Sequence, residues 1–198
     1  MLSLAQAQWI LSTLEEAGYP AYLVGGCVRD ALLDQPTYDY DITTAAKPEE
    51  TQAVFRDVKQ DPVGIRHGTV RLRLPGGVAE VTTFRTEGGY DDNRHPGWVK
   101  FVPDIETDLA RRDFTVNAIA WSPRRGYADP FGGQADLKQG ILRCVGEPDR
   151  RFREDALRIL RGIRFAARFH LTVEPATMEA MVQNAHLVQN LSGERIFE

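Results

Sequence analysis

Two aspartates, Asp39 and Asp41, have a spacing that suits a metal ion. In an extended strand, residues two apart point to the same face. Two carboxylates on one face repel each other unless a cation lies between them, and Mg²⁺ is a cation that prefers oxygen ligands. An isolated D-x-D is more often a solvated loop. The spacing nevertheless predicts that Asp39 and Asp41 bind Mg²⁺ as catalytic residues.

A glycine pair and an arginine precede these aspartates. Gly25 and Gly26 follow an apolar run, and the short helical pattern after them carries Arg29. Glycine lets a backbone approach phosphates closely, and the guanidinium fork fits phosphate oxygens. No GK[ST] follows, and the spacing is not that of a dinucleotide-binding loop. Gly26 and Arg29 are therefore predicted to bind a nucleotide, and with the aspartates they supply the parts that metal-dependent nucleotidyl transfer needs.

A third motif is Arg111-Arg112-Asp113, which leads into an apolar segment containing Asn117. Arg112 is predicted to bind a triphosphate, and Arg111 is an alternative for the same task. Asp113 would hold the arginine in place or cap the next helix.

A fourth motif, Glu154-Asp155-x-x-Arg158, suits the recognition of a base. On one helix, Asp155 and Arg158 would be neighbours, and Arg161 and Arg164 would continue along the same side. An ordinary exposed salt bridge is the simpler interpretation. Aspartate offers only acceptors and arginine only donors, which matches the Watson–Crick edges of C and A and opposes those of U and G. An adjacent apolar side is predicted to pack against the protein, formed by Leu157, Leu160, Ile163 and Ala167.

In this order, the motifs GG-x-x-R-D, D-x-D, RRD and ED-x-x-R resemble those of the polymerase-β-like nucleotidyltransferases. They are most similar to the tRNA nucleotidyltransferases that build or repair the 3′ CCA end, a group that includes bacterial poly(A) polymerases. The resemblance runs from Gly25 to Arg164 and continues weakly beyond. It implies transfer of CMP and AMP from CTP and ATP to a tRNA 3′ end, with release of pyrophosphate. It also favours Arg112 over Arg111, and assigns Arg161 and Arg164 to nucleotide or phosphate contact.

The resemblance also concerns a polar, glycine-rich stretch, residues 85–97, which is predicted to be a loop. In the CCA-adding group a flexible loop here helps the change from C to A addition, and Asp92, Arg94 and Pro96 match its pattern. Relatives continue into further domains, so the end of this chain, SGERIFE, suggests a fragment. Alternatives are an A-adding specialist, a poly(A) polymerase, an enzyme that adenylylates a small molecule, and a catalytically silent RNA-binding module.

The elements that must position these residues follow from local patterning. Ser3 is predicted to cap a first helix, and Ala21–Val24 and Tyr38–Thr43 are predicted strands. Residues 67–74 and 78–84 form a predicted hairpin, whose Glu80 is either a third carboxylate or a surface residue. The other predicted helices begin at Pro48, Asp104, Arg151 and Pro175, and a small helix through Leu137 is predicted to follow a turn at residues 129–133.

No strand is evident after Val145, and composition changes near Gly146. The predicted fold is therefore α/β (α+β). The resemblance implies that residues 1–146 form a polymerase-β-like nucleotidyltransferase head with a mixed or antiparallel sheet, and residues 147–198 are predicted to form an all-helical neck.

The composition limits which classes of ligand and partner the protein could bind. The net charge of −4 argues against nucleic acid, but twenty arginines against four lysines, with seven arginines in residues 150–168, favour local phosphate binding. The simpler interpretation is a solvated helix. The two cysteines lack metal-ligand spacing and favour a reducing cytoplasm. The scattered histidines indicate neither zinc nor a His-centred hydrolase. No signal peptide, membrane-spanning run or protein partner is evident.

Overall fold

The computed structural model describes residues 2–37, 39–61, 64–89, 97–193 and 196. The helices are α1 (Leu4–Glu16), α2 (Gly26–Leu32), α3 (Pro48–Val54), α4 (Ile105–Ala110), α5 (Gly133–Gln139), α6 (Pro148–Glu154), α7 (Leu157–Phe169) and α8 (Pro175–Gln183). The strands are β1 (Ala21–Val24), β2 (Ile42–Thr44), β3 (Gln60–Asp61), β4 (Thr69–Leu74), β5 (Gly77–Thr83), β6 (Arg85–Gly88), β7 (Trp98–Phe101), β8 (Ala120–Ser122), β9 (Gly126–Ala128), β10 (Ile141–Leu142) and β11 (Thr172–Val173). In this part of the chain the helices are too short or too polar to span a lipid bilayer.

Seven strands form one sheet in the order β3-β4-β5-β2-β1-β8-β9. Every pair is antiparallel except β2 with β5, so the mixed sheet is confirmed. Helix α1 covers the core, with Ile10, Leu11 and Leu14 fully buried. The predicted cap is also confirmed, because Ser3 Oγ accepts from the Gln6 backbone and the Gln6 side chain accepts from the Ser3 backbone.

The predicted hairpin is confirmed as β4 and β5. Val70 and Leu72 are buried, whereas Arg71 lies opposite Glu80 on the other face. The hairpin's first strand begins at Thr69, because residues 65–67 form a 3₁₀ turn.

The strand predicted for residues 38–43 is shorter and later than expected. β2 begins at Ile42, so Asp39 and Asp41 precede it, and Tyr38 lies outside the described residues. The ladder with β1 still reaches Asp41, because the Val24 N–H donates to the Asp41 carbonyl at 3.1 Å. That bond ties Asp41 to the chain immediately before the glycine pair.

The single helix predicted across the Glu154-Asp155-x-x-Arg158 motif is wrong. Asp155 has extended dihedral angles, φ −145° and ψ 104°, and separates α6 from α7. Its Oδ1 accepts from the Leu157 N–H at 3.0 Å. Aspartate competes in this way with helical backbone bonds, and here its side chain opens α7 instead of continuing α6.

The predicted packing side of α7 is also wrong. The residues that α7 buries are Arg158, Ile159 and Gly162, whereas Ile163 is 57% exposed. A Cβ on Gly162 would lie 2.9 Å from Phe114 Cζ. The close approach that this glycine permits decides which face of α7 meets the protein.

Two further expectations are corrected. The residues after Val145 are not all helical, because β11 pairs in parallel with β10 after His170 ends α7 in a left-handed conformation, φ 53°. The stretch 85–97 is not wholly a loop, because its first four residues form β6, which pairs with β7 immediately after the stretch. The sequence did not predict these strands, because their residues do not alternate between apolar and polar. Residues 90–96, with Asp92, Arg94 and Pro96, lie outside the described residues.

Candidate active site

The site begins at the turn between β1 and α2. Gly25 has φ 77°, a conformation that side chains rarely adopt, and its N–H donates to the Ile119 carbonyl at 3.1 Å. A Cβ on Gly25 would lie 2.9 Å from Nη1 of Arg112. The glycine is therefore needed twice, for the turn and for the close approach of the arginine.

A cavity of about 410 Å³ opens at this turn, and we call it the nucleotide cavity. Seven predicted site residues line it: Gly26, Arg29, Asp41, Arg112, Asp155, Arg158 and Arg161. Asp39 and Arg164 do not line it. Four motifs that are distant in the sequence therefore meet around one space.

Arg112 is held at the cavity by Asp108, a fully buried residue of α4. Nη2 of Arg112 lies 3.7 Å from one Asp108 oxygen, and Arg111 and the Arg85 N–H donate to the other at 3.1 and 3.0 Å. Burial lowers the pKa of Arg112, although Asp108 and Asp41 act to raise it. Nε of Arg112 is buried without a hydrogen-bond partner in the described part of the chain. A desolvated cation with a spare donor suits an anionic ligand.

The two aspartates face a second space, which we call the acidic cavity. It has a volume of about 310 Å³, and Asp39, Asp41 and Glu80 line it. Asp41 lines both cavities. Burial raises the pKa of Asp41, as do the charges of Asp39 and Glu80, whereas Arg112 lowers it. These carboxylates repel one another, and that repulsion is what a bound cation would relieve.

Glu80 forms an ion pair with an arginine. Its Oε1 lies 2.6 Å from Nη2 of Arg71, the residue opposite it on β4. Among the described residues, no three histidine, cysteine, aspartate or glutamate side chains are arranged to hold a metal ion. Mg²⁺ needs only one or two protein carboxylates when phosphates complete its shell, so the pair Asp39 and Asp41 fits that ion.

Arg29 lines the nucleotide cavity but is only 5% exposed. It donates to Asp30 from Nε and Nη2, at 2.9 and 2.6 Å, and to Asn117 Oδ1 from Nη1 at 2.6 Å. Its guanidinium carbon lies 4.3 Å from the Phe169 ring centre and 5.2 Å from that of Phe165. Arg29 therefore joins α2 to α7, a role that the sequence did not predict.

A second arginine completes this connection. Arg161 of α7 donates from Nε to Asp113 Oδ2 at 2.8 Å, and its guanidinium carbon lies 5.2 Å from the Phe165 ring centre. Asn117 donates to Asp113 Oδ1 at 3.0 Å. Arg29, Asn117, Asp113, Arg161 and Phe165 thus form a closed ring of contacts, which we call the clasp.

The clasp affects the charge of Asp113. Burial raises the pKa of Asp113, but Arg161 and the hydrogen bond from Asn117 outweigh it, and the pKa lies below its usual value. Asp113 does not cap the following 3₁₀ turn, whose cap residue is Phe114. Sequence reasoning noted Asn117 within the motif without a role and missed Phe165, because nothing local links an aromatic of α7 to the glycine turn.

Arg158 connects the cavity wall to the RRD motif. It donates to the Arg151 carbonyl at 3.0 Å, to Glu154 at 3.2 Å and to the Arg111 carbonyl at 3.4 Å. Arg151, which sequence reasoning also missed, donates to the Arg112 carbonyl at 2.7 Å. Asp155 and Arg158 share the cavity wall, and Arg164 is exposed on α7.

The mixed sheet, the glycine turn and the two aspartates define the head fold of a nucleotidyltransferase. Residues 21–143 match the family model described as the poly A polymerase head domain, and the chain belongs to this family. The resemblance seen in the motifs is therefore confirmed. Residues 170–198 match a second model, described as the probable RNA- and SrmB-binding site of polymerase A.

The similar proteins and solved structures are CCA-adding enzymes. The CCA-adding enzyme of Streptococcus pyogenes serotype M5 (strain Manfredo) is 52% identical over 188 residues, which is 95% of this chain and 46% of the relative. The crystal structure of the Bacillus stearothermophilus CCA-adding enzyme in complex with CTP has a TM-score of 0.86 at 46% identity, covering 97% of this chain and 46% of that one. The Thermotoga maritima CCA-adding enzyme complexed with tRNA has a TM-score of 0.76 at 29% identity, covering 96% and 44%. The chain spans about half the length of the curated relatives it matches.

Proposed function

We propose that the protein is a template-independent nucleotidyltransferase that adds C and A to the 3′ end of tRNA from CTP and ATP. The observation that carries this proposal is the nucleotide cavity, where the glycine turn, Arg112, Asp41 and the Asp155–Arg158 wall converge. The names of the relatives support it, because they are CCA-adding enzymes and one was solved with CTP.

The proposed domains are a catalytic head, residues 1–146, and a nucleotide-selecting neck, residues 147–198. The head-domain match ends at residue 143 and the RNA-binding match begins at residue 170, and these limits support a boundary between them. The buried, unpaired cysteines Cys27 and Cys144 favour a cytoplasmic setting.

In the proposed reaction, the primer 3′ oxygen bonds to the α-phosphorus of the incoming nucleotide. The bond from that phosphorus to the bridging oxygen breaks, pyrophosphate leaves with the electron pair, and the hydroxyl proton passes to solvent. Asp39 and Asp41 would hold Mg²⁺, which when bound lowers the pKa of the primer hydroxyl and offsets the charge of the leaving group. Arg112 orients the triphosphate beside the backbone of Gly26.

The proposed base selection uses the wall opposite the phosphates. Arg158 is 6% exposed and is fixed by Glu154 and two backbone carbonyls, so its guanidinium presents donors in one orientation. Asp155, which lines the same cavity, would supply the acceptors. C and A satisfy this edge, whereas U and G would leave buried polar groups unpaired, which disfavours them by roughly 1–3 kcal/mol for each lost bond.

The test uses tRNAs that end before the first C of the CCA end, after the first C and after the second C, each incubated with one labelled nucleotide and Mg²⁺. We expect CMP to be added to the first two and AMP to the third. Asp41→Asn should lower incorporation about a thousand-fold, because the metal-held phosphates provide most of the transition-state stabilisation. Asp57→Asn is the control, since the Asp57 side chain is 93% exposed.

Several results would contradict the proposal. Near-normal turnover by Asp41→Asn would remove the metal assignment. Repeated AMP addition to any RNA end would instead indicate a poly(A) polymerase, and AMP addition restricted to the third tRNA would indicate an A-adding specialist. Binding of tRNA without any nucleotide incorporation would indicate an RNA-binding module.

A further inference from the structure

A third cavity, which we call the hairpin cavity, lies between the β6–β7 hairpin and α6. Its volume is about 670 Å³, and its aromatic and charged lining consists of Trp98, two arginines and three carboxylates: Arg150, Arg153, Glu87, Asp149 and Glu154. Glu87 also lines the nucleotide cavity, so the two spaces are adjacent. None of the nine individually predicted site residues lines the hairpin cavity, although Arg150 and Arg153 belong to the seven arginines of residues 150–168.

Trp98 provides an aromatic surface in this cavity. Its side chain lies over the glycines of the opposite strand, since a Cβ on Gly88 would lie 2.7 Å from Trp98 Cζ2 and one on Gly89 would lie 3.4 Å from Cδ1. An aromatic ring over a cross-strand glycine stabilises a hairpin, which accounts for the position of the ring. It does not account for the exposure, because Trp98 remains 52% exposed. An exposed, supported ring is what a nucleobase stacks on.

Arg150 and Arg153 provide the cations of this cavity, on α6. Their side chains are 78% and 67% exposed. Each pairs with a carboxylate four residues away on the same helix, Arg150 with Glu154 at 2.9 Å and Arg153 with Asp149 at 3.1 Å. The Arg153–Asp149 pair is exposed and contributes little to stability, and the less exposed Glu154 keeps Arg151 and Arg158 as partners when Arg150 turns away. Both guanidinium groups can therefore turn to a phosphate at small cost.

We propose that the hairpin cavity binds one nucleotide of single-stranded RNA, with its base on Trp98 and its phosphate at Arg150 and Arg153. Glu87 lies at the end nearest the nucleotide cavity, where its Oε2 is 3.6 Å from both Arg85 and Arg111. The inference rests on the proposed function and deepens it, because it assigns a subsite for the RNA strand beside the nucleotide cavity. Stacking on an indole tolerates every base, so this subsite serves substrates whose upstream sequences differ.

The test measures binding of a fluorescein-labelled RNA pentamer ending in CC to the full chain, by fluorescence anisotropy at low salt. Trp98→Ala should weaken binding roughly ten-fold or more, and Trp98→Phe should retain most of the affinity. Trp9→Ala is the matched control, because Trp9 is 45% exposed on α1 and packs edge-on against Phe55. Changing Arg150 and Arg153 together to Gln should make binding less dependent on salt.

CTP binding, measured in the same variants, separates this inference from the proposed function. Unchanged CTP affinity with weakened RNA affinity in Trp98→Ala supports the subsite. Equal RNA affinity in wild type and Trp98→Ala, equal losses in Trp98→Ala and Trp9→Ala, or no RNA binding by the wild type would each overturn it. If Asp41→Asn leaves catalysis intact while Trp98→Ala still weakens RNA binding, the proposed metal site fails and the subsite stands.

Discussion

The charge state of Asp113 depends on a partner that is distant in the sequence. Its place in the RRD motif, four residues before Asn117, is visible in the sequence. The residue that controls its charge is Arg161, which lies 48 residues further on and donates to it at 2.8 Å. Local spacing could predict that Asp113 matters, but it could not predict an ion pair whose partner is brought in by α7.

The ion pair makes stability depend on pH. The pKa of Asp113 lies below its usual value in the folded protein, so ionised Asp113 stabilises the fold above the unfolded pKa of about 3.9 and loses that effect as pH falls through the folded pKa. Asp113→Asn should therefore lower the free energy of unfolding by about 1–2 kcal/mol at pH 7, discounted because the Arg161 side chain is 43% exposed. Urea unfolding at pH 7 and below pH 4 measures the difference.

The control for that measurement is Asp57→Asn, a change at an exposed aspartate. The difference between wild type and Asp113→Asn should shrink below pH 4, since protonated aspartate resembles asparagine. A difference that stays constant from pH 7 to pH 3 would mean that the charge of Asp113 contributes nothing.

At the scale of elements, α7 shows the limit of periodicity. The pattern correctly identifies residues that share a side of the helix, such as Ile163 and Ala167. It does not say which side is covered. Arg158 is buried because three carbonyl and carboxylate groups accept its hydrogen bonds, and Gly162 is buried because it has no side chain. A hydrophobicity scale would not predict the burial of either residue.

Two substitutions on adjacent residues test this orientation. Gly162→Ala adds one methyl group 2.9 Å from Phe114 Cζ and should lower the free energy of unfolding by about 1–2 kcal/mol, despite the better helix propensity of alanine. Ile163→Ala removes a larger apolar group from the exposed side and should change it by less than about 0.5 kcal/mol. Chemical denaturation of the wild type and both variants measures these changes in the free energy of unfolding. If Ile163→Ala proved the more destabilising of the two, α7 would have to pack through its other side.

For the whole molecule, the sequence predicted the mixed sheet, the β4–β5 hairpin and most of the residues that meet at the nucleotide cavity. It could not predict β10 with β11 or β6 with β7, because two- to four-residue strands carry no alternation long enough to detect. Nor could it predict the clasp. Arg29 was predicted to bind phosphate, and in the structure its guanidinium lies against two rings of α7.

The clasp predicts a specific cost for Arg29→Lys. Lysine keeps the charge but loses the planar fork that reaches Asp30 and Asn117 together, as well as the stacking on Phe169. The free energy of unfolding should fall by about 1–3 kcal/mol, measured by urea denaturation. Arg56→Lys serves as the control, since the Arg56 side chain is 81% exposed. A loss no greater than that of Arg56→Lys would show that the clasp does not hold the two regions together.

The parallel pairing of β10 with β11 has a consequence for exchanging parts between relatives. The change in composition at Gly146 suggests it as the place to join two parents. The backbone N–H groups of Thr172 and Glu174, however, donate to carbonyls that precede Gly146, those of Gly140 and Leu142, at 2.7 and 2.9 Å. These bonds anchor the chain as it leaves α7. A chimera joined at Gly146 combines β10 of one parent with β11 of the other. A chimera that carries residues 140–174 from a single parent keeps these hydrogen bonds, and with them the native anchor of α7, the helix that contributes Arg158 to the wall proposed to face the base.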